Sequence, residues 1–329
     1  MRDEVLAQPH QIGDALWRVD AAGVPTTGRA GGLLVCGMGG SAIGGDLAAA
    51  AVGGRARAPI RTVRGYAPEP WLDPDTLVLC ASYSGSTEET LACFEAAGEA
   101  DAARVALTTG GPLAERARDA GVPVIGVPAG MQPRASVIYM TVAALQCAAS
   151  CGAAPPLRDE VESAAEVLAG VADDTSEPDA AAEILAGTLA VVYGAELTTA
   201  PARRWKTQLN ENAKLTAFAS ELPEADHNEI EGWEWGIGHA PMSAAFLTAP
   251  GQHERIALRN EVTTKLLEDL DVPVVRVGAR GETPVANVLS LVMLGDLVSV
   301  RIAELAEVDP TPVEAIEGFK RSLGSAPGA

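Results

Sequence analysis

Short apolar runs alternate along the chain with longer Ala-rich stretches of helical periodicity. The apolar runs are continuous, which is typical of strands buried on both faces of a parallel sheet. In the first half they predict strands over 32–36, 60–63, 76–81, 105–108 and 122–127, and helices over 42–52, from 87 onward and over 136–151. This pattern predicts parallel βαβ units with helices on both faces of the sheet.

The second half repeats the order of strand, turn and helix. An acidic stretch over 160–179 predicts a helix and linker. Beyond it we expect strands over 189–193, 244–248 and 274–277, and helices over 201–212, 254–270, 285–306 and 312–323. The predicted fold class is therefore α/β, with two doubly wound, flavodoxin-like domains whose parallel sheets are flanked by helices. The expected divisions are an N-terminal domain over 1–155, a linker or helix over 156–180 and a C-terminal domain over 181–329.

The overall charge argues against polyanionic partners. Of 329 residues, 47% are apolar and 21% charged, so the chain can bury a core, but 44 acidic side chains outnumber 24 basic ones. The net charge of −20 repels nucleic acid and anionic membrane surfaces. No run reaches the roughly 18 uncharged apolar residues that a membrane span needs. We therefore expect no nucleic-acid or membrane partner, and a small anion would need a local pocket of N–H groups and cations.

The cysteines indicate the compartment. There are five, an odd number, and none are spaced as C-x-x-C. The N-terminus also lacks a basic segment followed by an apolar run, which a secretory signal would have. A reducing compartment, and hence a cytoplasmic localisation, is the prediction.

The first predicted strand is followed by a glycine-rich turn, GMGGSAIGGD over 37–46. Gly39, Gly40 and Ser41 are candidate phosphate-binding residues, because backbone N–H groups at a helix start can surround an anion. The turn also fits the dinucleotide pattern G-x-G-x-x-A, but the next strand ends in Arg64 where an acidic residue is expected. An NADP-binding oxidoreductase remains an alternative, as does a packing role for the last two glycines of the motif.

The third predicted strand is followed by the loop SYSGSTEET, which opens a helix. Its hydroxyls and the helical N–H groups suit a phosphate dianion, with Ser82, Ser84 and Thr87 as the candidate ligands. The alternative is a capping box formed by Ser86 and Glu89. Because both loops follow strands of one parallel sheet, we expect them to converge on one ligand at the same sheet edge.

The loop S-Y-S-G-S-T resembles the phosphate loop of sugar isomerase (SIS) domains. Together with G-M-G-G-S, the downstream N-E-N-A-K and the segment H-N-E-I-E-G-W, it resembles the bifunctional phosphoglucose/phosphomannose isomerase family over both halves of the chain. The resemblance implies two SIS-type domains and an aldose–ketose isomerase. Its reaction would interconvert glucose 6-phosphate, and mannose 6-phosphate, with fructose 6-phosphate through ring opening and a cis-enediol. It also implies a phosphosugar substrate, no cofactor and a homodimer.

The resemblance also implies roles for five residues. Glu211 matches the base that moves the proton between C2 and C1, and His227 matches the ring-opening histidine, donated to the neighbouring subunit's site. Arg134 matches the arginine that stabilises the enediolate. Lys320 on the last predicted helix would assist ring opening, and Thr311 would help accept both C2 epimers. Taken from the residues alone, each of these side chains is equally compatible with an ordinary surface position.

Two further alternatives concern metals and catalysis. The four histidines are scattered, and Cys147 and Cys151 have no histidine partner, so we expect them to be small buried packing residues and expect no metal site. A non-catalytic sugar-phosphate sensor that retains the SIS pocket is the alternative to an enzyme. Glu211 and His227 at the family's spacing favour the enzyme.

Overall fold

The computed structural model describes residues 1–26, 28 and 31–324 and contains two parallel sheets, each flanked by helices. The strands are β1 (Gly32–Gly37), β2 (Ile60–Val63), β3 (Thr76–Ala81), β4 (Ala103–Thr108), β5 (Val124–Gly126), β6 (Leu189–Gly194), β7 (Ala217–Glu221), β8 (Met242–Thr248) and β9 (Val274–Gly278). The α-helices are α1 (Arg2–Leu6), α2 (Gln8–Ala22), α3 (Gly39–Val52), α4 (Glu88–Glu99), α5 (Gly111–Asp119), α6 (Val137–Ser150), α7 (Arg158–Asp173), α8 (Ser176–Leu185), α9 (Thr199–Glu211), α10 (Trp233–Ile237), α11 (Glu254–Asp269), α12 (Pro284–Leu305) and α13 (Glu314–Gly324). The predicted α/β class with two parallel sheets is confirmed.

The first sheet has the strand order β2-β1-β3-β4-β5, the flavodoxin-like order. The order reverses between β1 and β3, where Gly37 at the end of β1 lies opposite Ala81 at the end of β3. Ligands of such sheets bind at this reversal, beyond the carboxyl ends of the strands. The glycine-rich turn and the serine loop follow these two strands and so lie side by side.

The second sheet has the order β7-β6-β8-β9. Its edge strand β7 is absent from the sequence prediction, because only Ala217 of its five residues is buried and Phe218 is 52% exposed. Without a buried apolar run the segment gives no strand pattern. Helices α1, α2, α5 and α10 were also not predicted. The bounds of the buried strands agree with the predicted ones to within two residues at each end.

Helix α12 is the central helix of the molecule and packs against α3, α7, α8 and α9. Within the described part of the chain, it is the one helix long and apolar enough to cross a membrane by composition. In the most apolar 18-residue stretch of α12, 94% is buried inside the protein. Asp296, in the middle of the helix, forms an ion pair with Arg204 of α9. This burial is that of a core helix.

The stretch predicted as a helix and linker forms α7 and the start of α8. Helix α7 packs against α2 and α12, and α8 packs against α12. Apolar side chains from the helices of both sheets join in one large core. The domain boundaries at 155 and 181 stay a prediction.

Buried cysteines and glycines fill tight positions in the core. All five cysteines are buried, and Cys147 and Cys151 are 0% exposed, which confirms their packing role. Close packing also requires glycine at Gly44 and Gly45, the last two glycines of the glycine-rich motif. A Cβ on Gly44 would lie 2.6 Å from Met140 of α6, and one on Gly45 would lie 2.8 Å from Val35 of β1.

Candidate active site

The glycine-rich turn and the serine loop are in direct contact. Ser41 Oγ accepts a hydrogen bond from the backbone N–H of Tyr83 at 3.2 Å. Helix α3 begins at Gly39, whose φ of +50° suits glycine, and α4 begins at Glu88 just beyond the serine loop. Two helix N-termini therefore face the same sheet edge, and their free N–H groups favour an anion there.

The hydroxyls of the serine loop divide into a buried and an exposed set. Ser82 is 1% exposed, and its Oγ accepts the Gly85 N–H at 3.1 Å and lies 2.8 Å from Thr87 Oγ1. Ser84 and Ser86 are exposed, with their hydroxyls 3.0 Å apart. Ser82 therefore shapes the loop from below, whereas the exposed hydroxyls are open to a ligand.

The capping-box alternative for this loop is wrong. The N-cap of α4 is Thr87, not Ser86, and no side chain caps the helix. The Thr87 hydroxyl pairs with Ser82 within the loop. The first N–H groups of α4 are consequently left for a ligand or for water.

A third loop, after β5, joins the first two. The Tyr83 hydroxyl donates to the Pro128 carbonyl at 3.1 Å and accepts the Met131 N–H at 2.9 Å. A Cβ on Gly40 would lie 3.1 Å from Arg134 Cα, so the glycine-rich turn lies directly against the backbone of Arg134. Arg134 thus stands beside the proposed phosphate loops.

The Arg134 side chain extends from these loops to the second half of the chain. It is 3% exposed, and its Nε donates to Asn212 Oδ1 at 2.6 Å. Its Nη2 donates to the carbonyls of Pro310 at 2.6 Å and Thr311 at 2.9 Å. Its Nη1 lies 3.7 Å from Glu211 Oε2. One guanidinium therefore brings together three of the residues singled out in the sequence: Arg134, Glu211 and Thr311.

Burial and neighbouring charges act in opposite directions on Arg134. Burial lowers the pKa of Arg134 below its ordinary value, and the carboxylates of Glu211 and Glu4 partly offset this effect. An arginine guanidinium remains protonated in proteins. The site thus holds a fixed positive charge in a chain of strongly negative net charge.

Glu211 lines a cavity of about 640 Å3 between the end of α9 and the start of α13. Lys214 lines the same cavity, and its Nζ donates to the carbonyls of Glu211 and Pro312, each at 2.6 Å. Burial and the nearby Arg134 lower the pKa of Lys214. Sequence reasoning gave no role to Lys214, although it belongs to the N-E-N-A-K motif beside Glu211.

His227 and Glu211 lie at opposite ends of β7 in this subunit. Asn210 Oδ1 accepts the Ala217 N–H at 3.0 Å, which fixes the end of α9 at the amino end of β7. His227 is exposed and ends a 3₁₀-helix, Glu224–His227, beyond the carboxyl end of that strand. Five strand residues span about 13 Å. Within one chain the structure therefore does not bring His227 and Glu211 together.

Lys320 lies on α13, the helix that borders the cavity. Ile316 lines the cavity, and Lys320 follows it by four residues, which places both on the same side of the helix. The Lys320 side chain is exposed. It therefore lies one helical turn beyond the cavity lining.

Metal-ligating side chains are dispersed over the described ranges. In residues 1–26, 28 and 31–324, no group of three or more His, Cys, Asp or Glu side chains is arranged to hold a metal ion.

Residues 174–323 match the family model of the bacterial phospho-glucose isomerase C-terminal SIS domain. The bifunctional phosphoglucose/phosphomannose isomerase of Aquifex aeolicus is 37% identical over 294 residues, which cover 89% of this chain and 90% of that protein. Its namesake from Caldicellulosiruptor bescii is 35% identical over 305 residues, covering 88% and 89%. The chain belongs to the bifunctional phosphoglucose/phosphomannose isomerase family.

Structural similarity extends beyond this family. The C-terminal domain of glucosamine-fructose-6-phosphate aminotransferase from Francisella tularensis superimposes with a TM-score of 0.73 at 11% identity, covering 94% of this chain and 97% of that one. At that identity the similarity shows the fold alone. The family resemblance seen in the motifs is confirmed by the relatives, which match it across both halves of the chain.

Proposed function

We propose that the protein is an aldose–ketose isomerase that interconverts glucose 6-phosphate and mannose 6-phosphate with fructose 6-phosphate. One observation carries the assignment of the site: Arg134 packs its backbone against the glycine-rich turn, and its guanidinium lies 3.7 Å from the carboxylate of Glu211. A phosphosugar bound by those turns would extend its carbon chain toward that carboxylate. Membership of the bifunctional family supports the same reaction.

The phosphate would be held by Gly39, Gly40, Ser41, Ser84 and Thr87. Their N–H and O–H groups converge at two helix N-termini, which favour a dianion. Ser82 would act from beneath the loop, because its buried Oγ holds Gly85 and Thr87 in place.

Glu211 would remove the C2 proton from the open-chain aldose. The C2–H electron pair then forms the C1=C2 bond, and the aldehyde oxygen at C1 takes up a proton, which gives the cis-enediol. Return of a proton to C1 and loss of the O2 proton give the ketose, so C1 is reduced and C2 oxidised without an external redox partner. Arg134 would stabilise the negative charge that develops on the enediolate oxygens.

Ring opening needs a proton moved from O1 to the ring oxygen while the C1–O5 bond breaks. We assign this step to His227 and Lys320, and assign Thr311 to accepting both C2 epimers. The separation of His227 from Glu211 along β7 supports a homodimer in which the partner subunit supplies the histidine. An exposed apolar stripe on α13, formed by Ile316 (41%), Phe319 (67%) and Leu323 (41%), also suits a subunit contact. The odd number of cysteines, all of them buried, suits the reducing cytoplasm.

Solvent deuterium incorporation tests this function. Each 6-phosphosugar is incubated with the protein in D2O, and NMR follows deuterium at C1 of fructose 6-phosphate and, in reverse, at C2 of the aldoses. We expect incorporation with the wild type, and a rate lower by about 10²- to 10⁴-fold with Glu211→Gln, because this variant loses the general base.

The alternative of a non-catalytic sensor gives a different result. A sensor would bind fructose 6-phosphate, detected by a shift in thermal unfolding, and neither the wild type nor Glu211→Gln would exchange deuterium. Exchange at the wild-type rate in Glu211→Gln would instead show that another group is the base. A change in nicotinamide fluorescence on titration with NADPH would favour the oxidoreductase.

A further inference from the structure

The proposed base Glu211 lies between two asparagines, Asn210 and Asn212, whose side chains bond to different parts of the protein. Asn210 accepts the backbone N–H of Ala217 and so starts strand β7. Asn212, at the end of α9, is fully buried and turns toward the first half of the chain. Burying an amide costs free energy unless its N–H and C=O groups are hydrogen-bonded. The hydrogen-bond partners of Asn212 therefore indicate its role.

Both ends of the Asn212 amide are used. Its Oδ1 accepts Nε of Arg134 at 2.6 Å, and its Nδ2 donates to Ser299 Oγ at 3.0 Å. Ser299 Oγ in turn donates to the Asp296 carbonyl at 2.7 Å. Because Ser299 accepts from Asn212, the amide is oriented with its oxygen toward Arg134. The central helix α12 therefore determines which group the guanidinium meets.

The remaining donors of Arg134 are also assigned. Nη2 donates to two carbonyls, of Pro310 and Thr311, and Nη1 faces Gln132 Oε1 at 3.4 Å and Glu211 Oε2 at 3.7 Å. With Nε and Nη2 occupied, Nη1 is the nitrogen directed at the base. The plane of the guanidinium is thus fixed by the hydrogen bonds of Nε and Nη2.

The backbone of Arg134 is held by the same helices. Arg204 of α9 donates through Nη2 to the Arg134 carbonyl at 2.9 Å. Arg204 also forms two hydrogen bonds to Asp296, at 3.0 and 2.7 Å, and both residues of this ion pair are 1% exposed. Gln8 of α2 donates to the same carboxylate at 2.8 Å. This polar network anchors the loop that carries Arg134.

We propose that Asn212 is a positioning residue that holds the Arg134 guanidinium against the enediolate. The inference rests on the proposed isomerase function. Asn212 does not line the cavity beside Glu211 and acts through Arg134. Releasing Nε would let the guanidinium rotate, and the charge would no longer be directed at the oxygen where it is needed.

Substitution of Asn212 tests this role. Asn212→Leu keeps the approximate size and removes the acceptor, and we expect kcat to fall about 10- to 100-fold while KM for fructose 6-phosphate changes little. Asn212→Asp keeps an oxygen for Arg134 Nε and should stay within about 10-fold of the wild type. Asn260→Leu is the matched control. It is a buried asparagine on α11, which packs on the opposite face of the second sheet from α9 and α12, and we expect wild-type kinetics.

A transition-state analogue and a double variant distinguish positioning from a structural role. An aldonate phosphate, whose carboxylate mimics the enediolate, should bind Asn212→Leu more weakly by the same factor as kcat/KM falls. In Arg134→Ala, adding Asn212→Leu should not lower kcat/KM any further, because Asn212 acts only through the guanidinium that Arg134→Ala has already removed. Thermal unfolding of each variant establishes that it is folded.

The positioning role of Asn212 and the isomerase function can fail separately in these experiments. If the wild type turns over phosphosugar and folded Asn212→Leu keeps its kcat and its analogue affinity, the positioning role is wrong. An additional loss in the double variant would likewise overturn it, because Asn212 would then act independently of Arg134. Absence of turnover in the wild type itself would overturn the isomerase function instead.

Discussion

At the scale of single residues, the hydroxyls of the serine loop differ in exposure. Ser82 is buried and bonds to Thr87, which is half-buried, whereas Ser84 and Ser86 are exposed. The sequence predicted the loop because hydroxyls after a strand and before a helix suit phosphate. It could not divide the hydroxyls, since exposure depends on how neighbouring loops pack against them.

Replacing Ser84 by alanine tests this division. A hydrogen bond to a charged phosphate contributes about 1.5–3 kcal/mol, so KM for fructose 6-phosphate should rise by about 10- to 100-fold. Because the phosphate is held equally in ground and transition states, kcat should stay near the wild-type value. Ser163→Ala, at an exposed serine of α7, is the control and should change neither constant. A fall in kcat at unchanged KM would show that Ser84 acts on the reacting carbons instead.

The contact between Arg134 and Asn212 could not be predicted from sequence for a related reason. They are 78 positions apart in the chain, and nothing in either local pattern indicates that one bonds the other. The family resemblance singled out Glu211, whereas it assigned no role to the asparagine beside it. The partner of a buried polar group is a property of the tertiary structure, which local periodicity does not encode.

At the scale of elements, the position of Glu211 depends on how closely α9 approaches α12. Trp205 of α9 packs directly on Gly295 of α12, and its Nε1 donates to the Leu291 carbonyl at 2.7 Å. A Cβ on Gly295 would lie 2.3 Å from the indole ring. Glycine is therefore required there for the two helices to pack at this distance.

Gly295→Ala should consequently destabilise the protein and disturb the site. We expect the free energy of unfolding, measured in urea, to fall by about 1–2 kcal/mol, because overpacking against the indole costs about 2–3 kcal/mol and outweighs the ~1 kcal/mol that alanine gains in a helix. Activity should fall with it, since α9 carries Glu211 and Asn212. Gly170→Ala is the matched control on α7, where a Cβ would meet nothing within 4 Å, and it should be neutral or stabilising. Equal stabilisation by both substitutions would contradict the close packing.

Elements with a buried face were predicted, and exposed ones were not. Strands β1 and β3 are fully buried, and their continuous apolar runs identified them. Strand β7 lies at an edge and is mostly exposed, so it carries no such run. This missing strand is also the one that separates His227 from Glu211. The family resemblance implied that His227 serves the neighbouring subunit, but no sequence pattern indicated the strand that separates it from Glu211.

At the scale of the whole molecule, the proposed site is incomplete in one chain. Arg134, Glu211 and Thr311 come together within the subunit, whereas His227 lies beyond the far end of β7. The exposed apolar stripe of α13 adjoins the same cavity through Ile316. A second copy that covered this stripe would remove apolar surface from water and could bring its own histidine to the site.

Mixing two inactive variants tests whether the site is shared. Glu211→Gln and His227→Gln should each be inactive alone, but a mixed dimer contains one site with the intact Glu211 of one chain and the intact His227 of the other. Random exchange of equal amounts makes half of the dimers mixed, so about a quarter of the wild-type activity should return. Unmixed variants brought to the same total concentration are the control. If activity stays absent after exchange has been verified by native mass spectrometry, His227 does not serve the partner's site, and the shared site is wrong.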